Sequence, residues 1–253
     1  STALGYAALY TQAPATATDM YNTAVGYAAG TAVTTGVQNT IMGGLSGDAM
    51  TDADRNVSIG YAAMTTNVLG SESVAIGTFA LNAQNPATAV SMYNVAVGHN
   101  TGAAITTGVR NTLVGAIAGD ALTTGEENVA MGYGALSLDD LGSHTVAIGP
   151  SVLAAQNYAT ATNSFNTAVG SFAGYAVTTG VQNTLIGRGV GDALTDSDYN
   201  VAVGYATLST DTLGSGSTAL GYGTLNAQNF TTATDTYNTA VGFKAGEAVT
   251  DGQ

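Results

Sequence analysis

The sequence predicts an all-β fold, a single-domain repetitive parallel β-solenoid, and three observations predict it. A five-residue phrase that ends in glycine, such as NTAVG at 22–26, recurs fourteen times in 253 residues. The intervals between its glycines are 21, 17, 17 and 17 residues, and this order then repeats. Apolar residues of the phrase alternate with period two, which is typical of a strand and not of a helix. We therefore expect fourteen coils in one repeat domain over residues 1–253.

The spacing also predicts a super-repeat. Four units make one 72-residue block, so the blocks cover 1–72, 73–144, 145–216 and, in part, 217–253. The phrase glycines are Gly5, Gly26, Gly43, Gly60, Gly77, Gly98, Gly115, Gly132, Gly149, Gly170, Gly187, Gly204, Gly221 and Gly242. Coils stacked at about 4.8 Å each would give a rod on the order of 65 to 70 Å long.

Both faces of the predicted strand are apolar. Val or Thr lies three residues before the glycine and a large aliphatic lies directly before it, as in Thr23 and Val25. The residue between them points the other way and is Ala in ten copies. We expect the core to cover the first face and the Ala-rich face to form a long exposed stripe. Because soluble monomers rarely tolerate such a stripe, the pattern predicts self-association.

A second strand is expected in each unit, after the glycine. Seventeen residues are enough for two strands and two turns. The aliphatic residues that mark this second strand are Val33, Met50, Ile105, Leu122, Val177, Leu194 and Val249.

An asparagine opens the phrase in ten copies, and stacking would align these residues inside the solenoid. Each side-chain amide would then bond to turn backbone or to the next asparagine, as a structural ladder. The invariant glycine is expected at a bend where a Cβ atom would clash. The predicted ladder consists of Asn22, Asn39, Asn56, Asn94, Asn111, Asn128, Asn166, Asn183, Asn200 and Asn238.

Composition excludes several classes of partner. The net charge is −13 with four Lys and Arg residues, so little is available to bind nucleic acid or an anionic membrane. Because the sequence contains no cysteine, neither disulfides nor cysteine metal clusters are expected. The sequence also lacks a long apolar run, so we do not expect membrane insertion. We expect no cofactor.

The repeated phrase resembles that of a known family. NVAVG, SVAIG (73–77) and TVAIG (145–149) resemble the repeats of the YadA-like head of trimeric autotransporter adhesins. The run NTLIGRGVGDALT (183–195) is similar to repeats of phage and bacterial tail-fibre proteins. The resemblance covers the whole chain and implies a left-handed β-roll, a parallel homotrimer and attachment at an extracellular, cell or virion surface. The units are longer than the usual head repeat of the adhesins, and the sequence shows neither a neck, a coiled-coil stalk nor a membrane anchor. The choice between a phage and a cellular origin therefore stays open.

Every fourth unit is four residues longer, and such an insertion is expected to bulge outward as a binding loop. The alternative, which we favour, is that the loops pack against a neighbouring chain through Tyr21, Tyr93, Phe165 and Tyr237. The candidate contacts with a glycan or receptor are Gln12, Gln84, Gln156, Tyr158, Gln228 and Phe230.

Carboxylates cluster in the third unit of each four-unit block and could in principle hold Ca²⁺. Their spacing matches neither an EF-hand nor a glycine-rich calcium roll, so solvated turn charges are the favoured interpretation. The calcium candidates are Asp48, Asp52, Asp54, Asp192, Asp196 and Asp198, and Asp120, Glu126 and Glu127 form the intervening cluster. His99 and His144 lie in different units without a recognisable catalytic pattern, so no enzyme is expected.

These observations predict a non-enzymatic structural or adhesive fibre segment. The alternative is a filament subunit that polymerises end to end, because Ser1 begins a coil and Gln253 finishes one, with no polar capping segment at either end. Ion or ice binding is a third possibility, but the Thr-Thr pairs recur mainly in every fourth unit and not in successive ones.

Overall fold

The computed structural model describes residues 1–252, and strands are its regular secondary structure. The chain divides into two compact units, Ser1–Glu126 and Glu127–Gln253. Each unit is a parallel β-solenoid of seven coils, so the predicted all-β solenoid is confirmed. Residues 1–252 contain no helix that is long and apolar enough to span a membrane.

Unit 1 contains nine short strands. Seven of them, one per coil, form a parallel sheet in the order β1-β2-β3-β4-β6-β8-β9, and β5 pairs with β7. The strands are β1 (Thr2–Leu4), β2 (Thr23–Val25), β3 (Thr40–Met42), β4 (Val57–Ile59), β5 (Gly70–Ser71), β6 (Val74–Ile76), β7 (Val90–Ser91), β8 (Val95–Val97) and β9 (Thr112–Val114).

Unit 2 repeats the arrangement with eleven strands. Its main sheet has the order β10-β12-β14-β15-β16-β18-β20, while β11 pairs with β13 and β17 with β19. The strands are β10 (Val129–Met131), β11 (Gly142–Ser143), β12 (Val146–Ile148), β13 (Thr162–Asn163), β14 (Thr167–Val169), β15 (Thr184–Ile186), β16 (Val201–Val203), β17 (Gly214–Ser215), β18 (Thr218–Leu220), β19 (Thr234–Asp235) and β20 (Thr239–Val241).

Register is kept from coil to coil, so equivalent residues stack in columns. Thr23 lies beside Thr40, and Val25 lies beside Met42. The phrase glycine explains how closely the coils approach. A Cβ atom on Gly60 would lie 2.4 Å from the carbonyl oxygen of Gly77, and its φ of +134° is rare for other residues. The expected clash at this bend is therefore present.

The predicted orientation of the strand is wrong. Ala24 and Ile41, the central residues of β2 and β3, are buried, whereas Val25 and Met42 face outward. The small central side chain fits the narrow interior of a coil, and the large aliphatic residues form the exposed column instead. The aliphatic face, and not the Ala-rich face, is therefore the apolar surface that is available for self-association.

The predicted second strand is also wrong. Val33 and Met50 are buried in the core, but they lie in turns and irregular segments. The residues three positions earlier explain this, because Gly30 and Gly47 adopt left-handed φ values of 58° and 50°. Leu9 and Met64 take the same conformation at the equivalent position of other coils. Extended backbone cannot pass through such a corner, although these segments still bond to the next coil, as in Thr34 N to Thr51 O.

Replacement of Gly60 by alanine should destabilise the fold by about 3 kcal/mol or more, because the new Cβ atom would meet a carbonyl oxygen at a left-handed backbone position. Gly44 provides the matched control. A Cβ atom there would lie 3.6 Å from the ring of Tyr61, an ordinary contact, so Gly44→Ala should change stability by less than about 1 kcal/mol. Urea denaturation measures both, and equal effects would contradict the proposed role of the glycine column.

Candidate functional site

The asparagines of the phrase form a hydrogen-bonded ladder inside unit 1. Asn39 N donates to Asn22 Oδ1 at 2.8 Å, and Asn56 N donates to Asn39 Oδ1 at 2.9 Å. Each Nδ2 donates to a carbonyl fourteen residues later, as from Asn39 to Ala53 O at 2.7 Å. The side chains are buried, so the ladder satisfies backbone groups of the turn that would otherwise lack partners.

Unit 2 contains the same ladder. Asn183 N donates to Asn166 Oδ1 at 2.9 Å, Asn183 Nδ2 donates to Ser197 O at 2.7 Å, and Asn200 N donates to Asn183 Oδ1 at 3.0 Å. In the next coil after Asn128, Thr145 stands at the phrase-opening position, and Asn128 Oδ1 accepts from Thr145 N at 2.9 Å. These asparagines link one coil to the next, which is a structural role.

Three predicted receptor contacts lie in the core. Gln84, Gln156 and Gln228 are 0% exposed, so a receptor cannot reach their side chains. Gln156 Oε1 accepts from Asn166 Nδ2 at 2.9 Å, and Gln228 accepts from Asn238 in the same way. The prediction that these glutamines bind a receptor is wrong, because each glutamine extends the asparagine ladder. The constant spacing of ten residues between glutamine and asparagine is the signal for this role.

The predicted aromatic contacts are buried as well. Tyr158 is 4% exposed and Phe230 is 7% exposed. Tyr158 OH donates to Gly180 O at 2.9 Å, and burial raises the pKa of this phenol. Both rings therefore hold the start of an insertion inside the solenoid. Among the predicted contacts Gln12 is partly exposed, and its Nε2 donates to Ser1 Oγ at 2.8 Å.

The outward part of each insertion consists of small residues. Residues 87–90, 159–161 and 231–233 are exposed and consist of Ala, Thr and one Val. The aromatic residue before the ladder asparagine is also exposed, at 56% for Tyr93 and 74% for Tyr237. We call the exposed residues of the insertions, together with this aromatic residue, the insertion-loop surface. It is the part of the candidate binding site that a ligand could reach.

Carboxylates fix parts of this surface. Tyr21 OH donates to Asp19 at 3.1 Å, and Tyr237 OH donates to Asp235 at 3.3 Å. Side-chain hydrogen bonds lower the pKa of Glu72, so this carboxylate is ionised at neutral pH. The largest effect comes from Ser91, followed by those of Tyr93 and Arg55. Aromatic rings beside carboxylates offer both a flat apolar face and hydrogen-bond acceptors to a ligand.

The acidic clusters join adjacent coils. In unit 1, Asp54 accepts from Val37 N at 2.8 Å, and Asp52 accepts from Thr35 Oγ1 at 2.6 Å, while Asp48 accepts from Thr65. These carboxylates therefore complete the hydrogen bonding of turns in neighbouring coils. Among residues 1–252 no group of three potential ligands lies close enough to hold a metal ion.

The corresponding acids of unit 2 have the same partners. Asp198 accepts from Val181 N at 2.7 Å, and Asp196 accepts from Thr179 Oγ1 at 2.6 Å. Burial raises the pKa of Asp192, as it does for Asp120 in unit 1. His144 Nε2 lies 3.5 Å from Glu127 Oε2, and its ring packs edge-on against Phe165, so its contacts are with the surface of its own unit.

Comparison with known proteins identifies no relative. No protein-family model matches the chain, and neither a curated protein nor a solved structure matches it.

Asn183→Ala should lower the free energy of unfolding by about 2 to 4 kcal/mol, because Ser197 O and Asn200 N would lose their buried partners. Gln182 is adjacent and exposed, so Gln182→Ala should cost less than about 0.5 kcal/mol. Urea denaturation compares the two variants. A small loss for Asn183→Ala would mean that the ladder contributes little to stability.

Removal of divalent cations with a chelator should leave the melting temperature of the chain unchanged, because the clustered carboxylates already accept hydrogen bonds. Thermal melting with and without the chelator, and with added Ca²⁺, tests this expectation. A clear fall with the chelator, restored by Ca²⁺, would show that the acidic turns hold the ion.

Proposed function

We propose that this chain is a non-enzymatic structural and adhesive fibre segment, exposed on a virion or cell surface. In this proposal copies of the chain associate through the outer face of the main sheet as a parallel homotrimer. The insertion-loop surface stays outside and contacts a surface glycan or receptor. The single observation that carries the proposal is the column of aliphatic side chains that faces outward from the sheet.

We call this column the outer stripe. It is built by the residue before each phrase glycine, so every coil adds one aliphatic side chain. Its members are Leu4, Val25, Met42, Ile59, Ile76, Val97 and Val114 in unit 1, and Met131, Ile148, Val169, Ile186, Val203, Leu220 and Val241 in unit 2.

In unit 1 the outer stripe is accessible and is extended by aromatic rings. Met42 is 44% exposed and Ile76 is 37% exposed, although both belong to a regular sheet. In three coils the residue after the phrase glycine is an exposed tyrosine, namely Tyr6, Tyr27 and Tyr61. The rings of Tyr6 and Tyr27 stack with their centroids 5.5 Å apart. This face is apolar along successive coils and lacks a covering layer within unit 1.

Unit 2 has the same features on its own outer face. Met131 and Ile186 are exposed, and Tyr205, Tyr222 and Phe243 stack with ring centroids 5.2 and 5.4 Å apart. Stacked rings and aliphatic side chains at one regular spacing favour a partner that has the same spacing. A second copy of the chain meets this requirement in parallel orientation.

Several further points support the proposal. Small sheets need a covering layer on an apolar face, and a closed cyclic assembly would cover the outer stripes of all copies at once. A charge of −13 disfavours nucleic acid and anionic membranes as partners. The resemblance of the phrase to adhesin-head and tail-fibre repeats agrees with an extracellular trimer.

Sedimentation of the 25.0 kDa chain over a range of concentrations tests the assembly. We expect a fixed species of about three chains. Ile76→Lys places a charge in the outer stripe and should shift this species toward monomer. Thr107→Lys, an exposed turn residue of the same unit away from the main sheet, should not.

A stable monomer of the unmodified chain would contradict the proposed association. Growth without limit as concentration rises would instead favour the filament.

Binding of the trimer to a glycan array or to host-cell surfaces, and its loss on Tyr93→Ala, would then test the adhesive role.

A further inference from the structure

Unit 2 contains two carboxylates that are 0% exposed, Asp139 and Asp211. Both come from the coil before an insertion and lie below its first residues. A buried carboxylate is costly when ionised unless cations or several hydrogen bonds stabilise the charge. The hydrogen-bond partners of these two side chains are therefore decisive.

The partners of Asp139 are neutral donors. Its Oδ1 accepts from Gly142 N at 2.9 Å, and its Oδ2 accepts from Gln156 Nε2 at 2.7 Å. The charged neighbour that acts on this carboxyl is Asp140, which disfavours ionisation further. The titratable group of the insertion above it is Tyr158, whereas His144 contacts Glu127 and Phe165 at the outer surface.

Asp211 is held in the same way. Its Oδ2 accepts from Gln228 Nε2 at 2.6 Å, and its Oδ1 accepts from Gly214 N and from Phe230 N, each at 3.1 Å. Here Thr212 and Phe230 replace the titratable residues that surround Asp139. Two of the three donors belong to the insertion, so this carboxylate ties the start of the insertion to the coil below.

Unit 1 provides a natural comparison. Asn67 lies 72 residues before Asp139, is equally buried, and accepts from Gly70 N at 2.9 Å. Its amide also donates to Gly70 O at 2.8 Å, and Gln84 Nε2 is left without a partner among the described residues. A neutral side chain therefore supports the same turn, and the carboxylate adds a hydrogen bond to the glutamine together with a site for a proton.

We propose that Asp139 makes unit 2 acid-responsive: uptake of a proton by this buried carboxylate stabilises its coil and the start of the insertion above it. Unit 1, with Asn67 at the corresponding position, lacks this group. The inference concerns the stability of a single chain and does not depend on the assembly proposed above.

The direction of the pH dependence follows from burial. Burial raises the pKa of the Asp139 carboxyl from 3.8 to about 6. The folded chain therefore binds this proton more tightly than the unfolded chain does, and stability rises as the pH falls through about 6 toward 4. Carboxylates that are salt-bridged in the folded state give the opposite dependence.

Thermal melting at pH 7.5 and pH 5.0 tests the proposal, because exposed carboxylates stay mostly ionised at both values. We expect the unmodified chain to melt roughly 4 °C higher at pH 5.0. In the variant Asp139→Asn this difference should become clearly smaller, and melting at pH 7.5 should rise toward the acid value. Sedimentation at both pH values shows whether a change in assembly accompanies the shift.

Two controls match this variant. Asp235→Asn removes the same charge from an exposed position of unit 2 and should leave the pH response in place. His144→Gln removes an imidazole from the outer surface of the same unit, and the response should again persist. A response of unchanged size in Asp139→Asn, or one that is lost in either control, would overturn the proposal.

Hydrogen exchange supplies a second readout within one molecule. After correction for the intrinsic exchange rate, protection of segment 156–164 should increase at pH 5.0 relative to pH 7.5. Segment 84–92, which follows Asn67, should show no such increase. Equal changes in both segments would contradict the assignment to Asp139 even if the variants failed to fold.

Discussion

The close approach of successive backbones at the glycine column is the constraint on which each unit depends. A Cβ atom on Gly26 would lie 2.5 Å from Gly43 O, and one on Gly170 would lie 2.4 Å from Gly187 O. Because this contact joins backbone to backbone, neither partner can move aside as a flexible side chain could. Glycine at every such position fixes the register, and a fixed register converts each position of the repeat into a column of stacked side chains.

The columns give the interior and the exterior different chemistry. Inside, a side chain must satisfy the same turn in every coil, and asparagine does so with one acceptor and one donor, as Asn183 does toward Asn200 N and Ser197 O. Outside, Met42 and Ile76 repeat an apolar group without a partner in the same unit. The same stacking therefore produces a rigid core and a surface suited to another copy.

The sequence predicted the coil number and parallel stacking because these depend on period alone. It did not predict which strand face is buried, since both faces are apolar and a three-residue strand carries no amphipathic signal. Alternation counted from Asn22, the inward ladder position, places Ala24 on the same inward face, so the asparagine column carries the missing signal. The absence of the second strand has a signal as well, because glycine lies three residues before each expected strand residue, as Gly30 does before Val33, and Gly30 adopts a left-handed φ of 58°.

The insertions show why the candidate site was only partly predictable. Polar residues in a long loop normally indicate a surface, yet Gln156 and Gln228 are buried because the ladder needs an amide where the longer coil would leave a gap. Once the glutamine enters the core, the residues after it leave the coil, and the side chains that reach solvent are small or polar ones together with one aromatic residue. The buried acid below the glutamine then lies between the coil and the exposed loop. In the proposed acid response, protonation of Asp139 therefore acts on the segment that starts the insertion-loop surface.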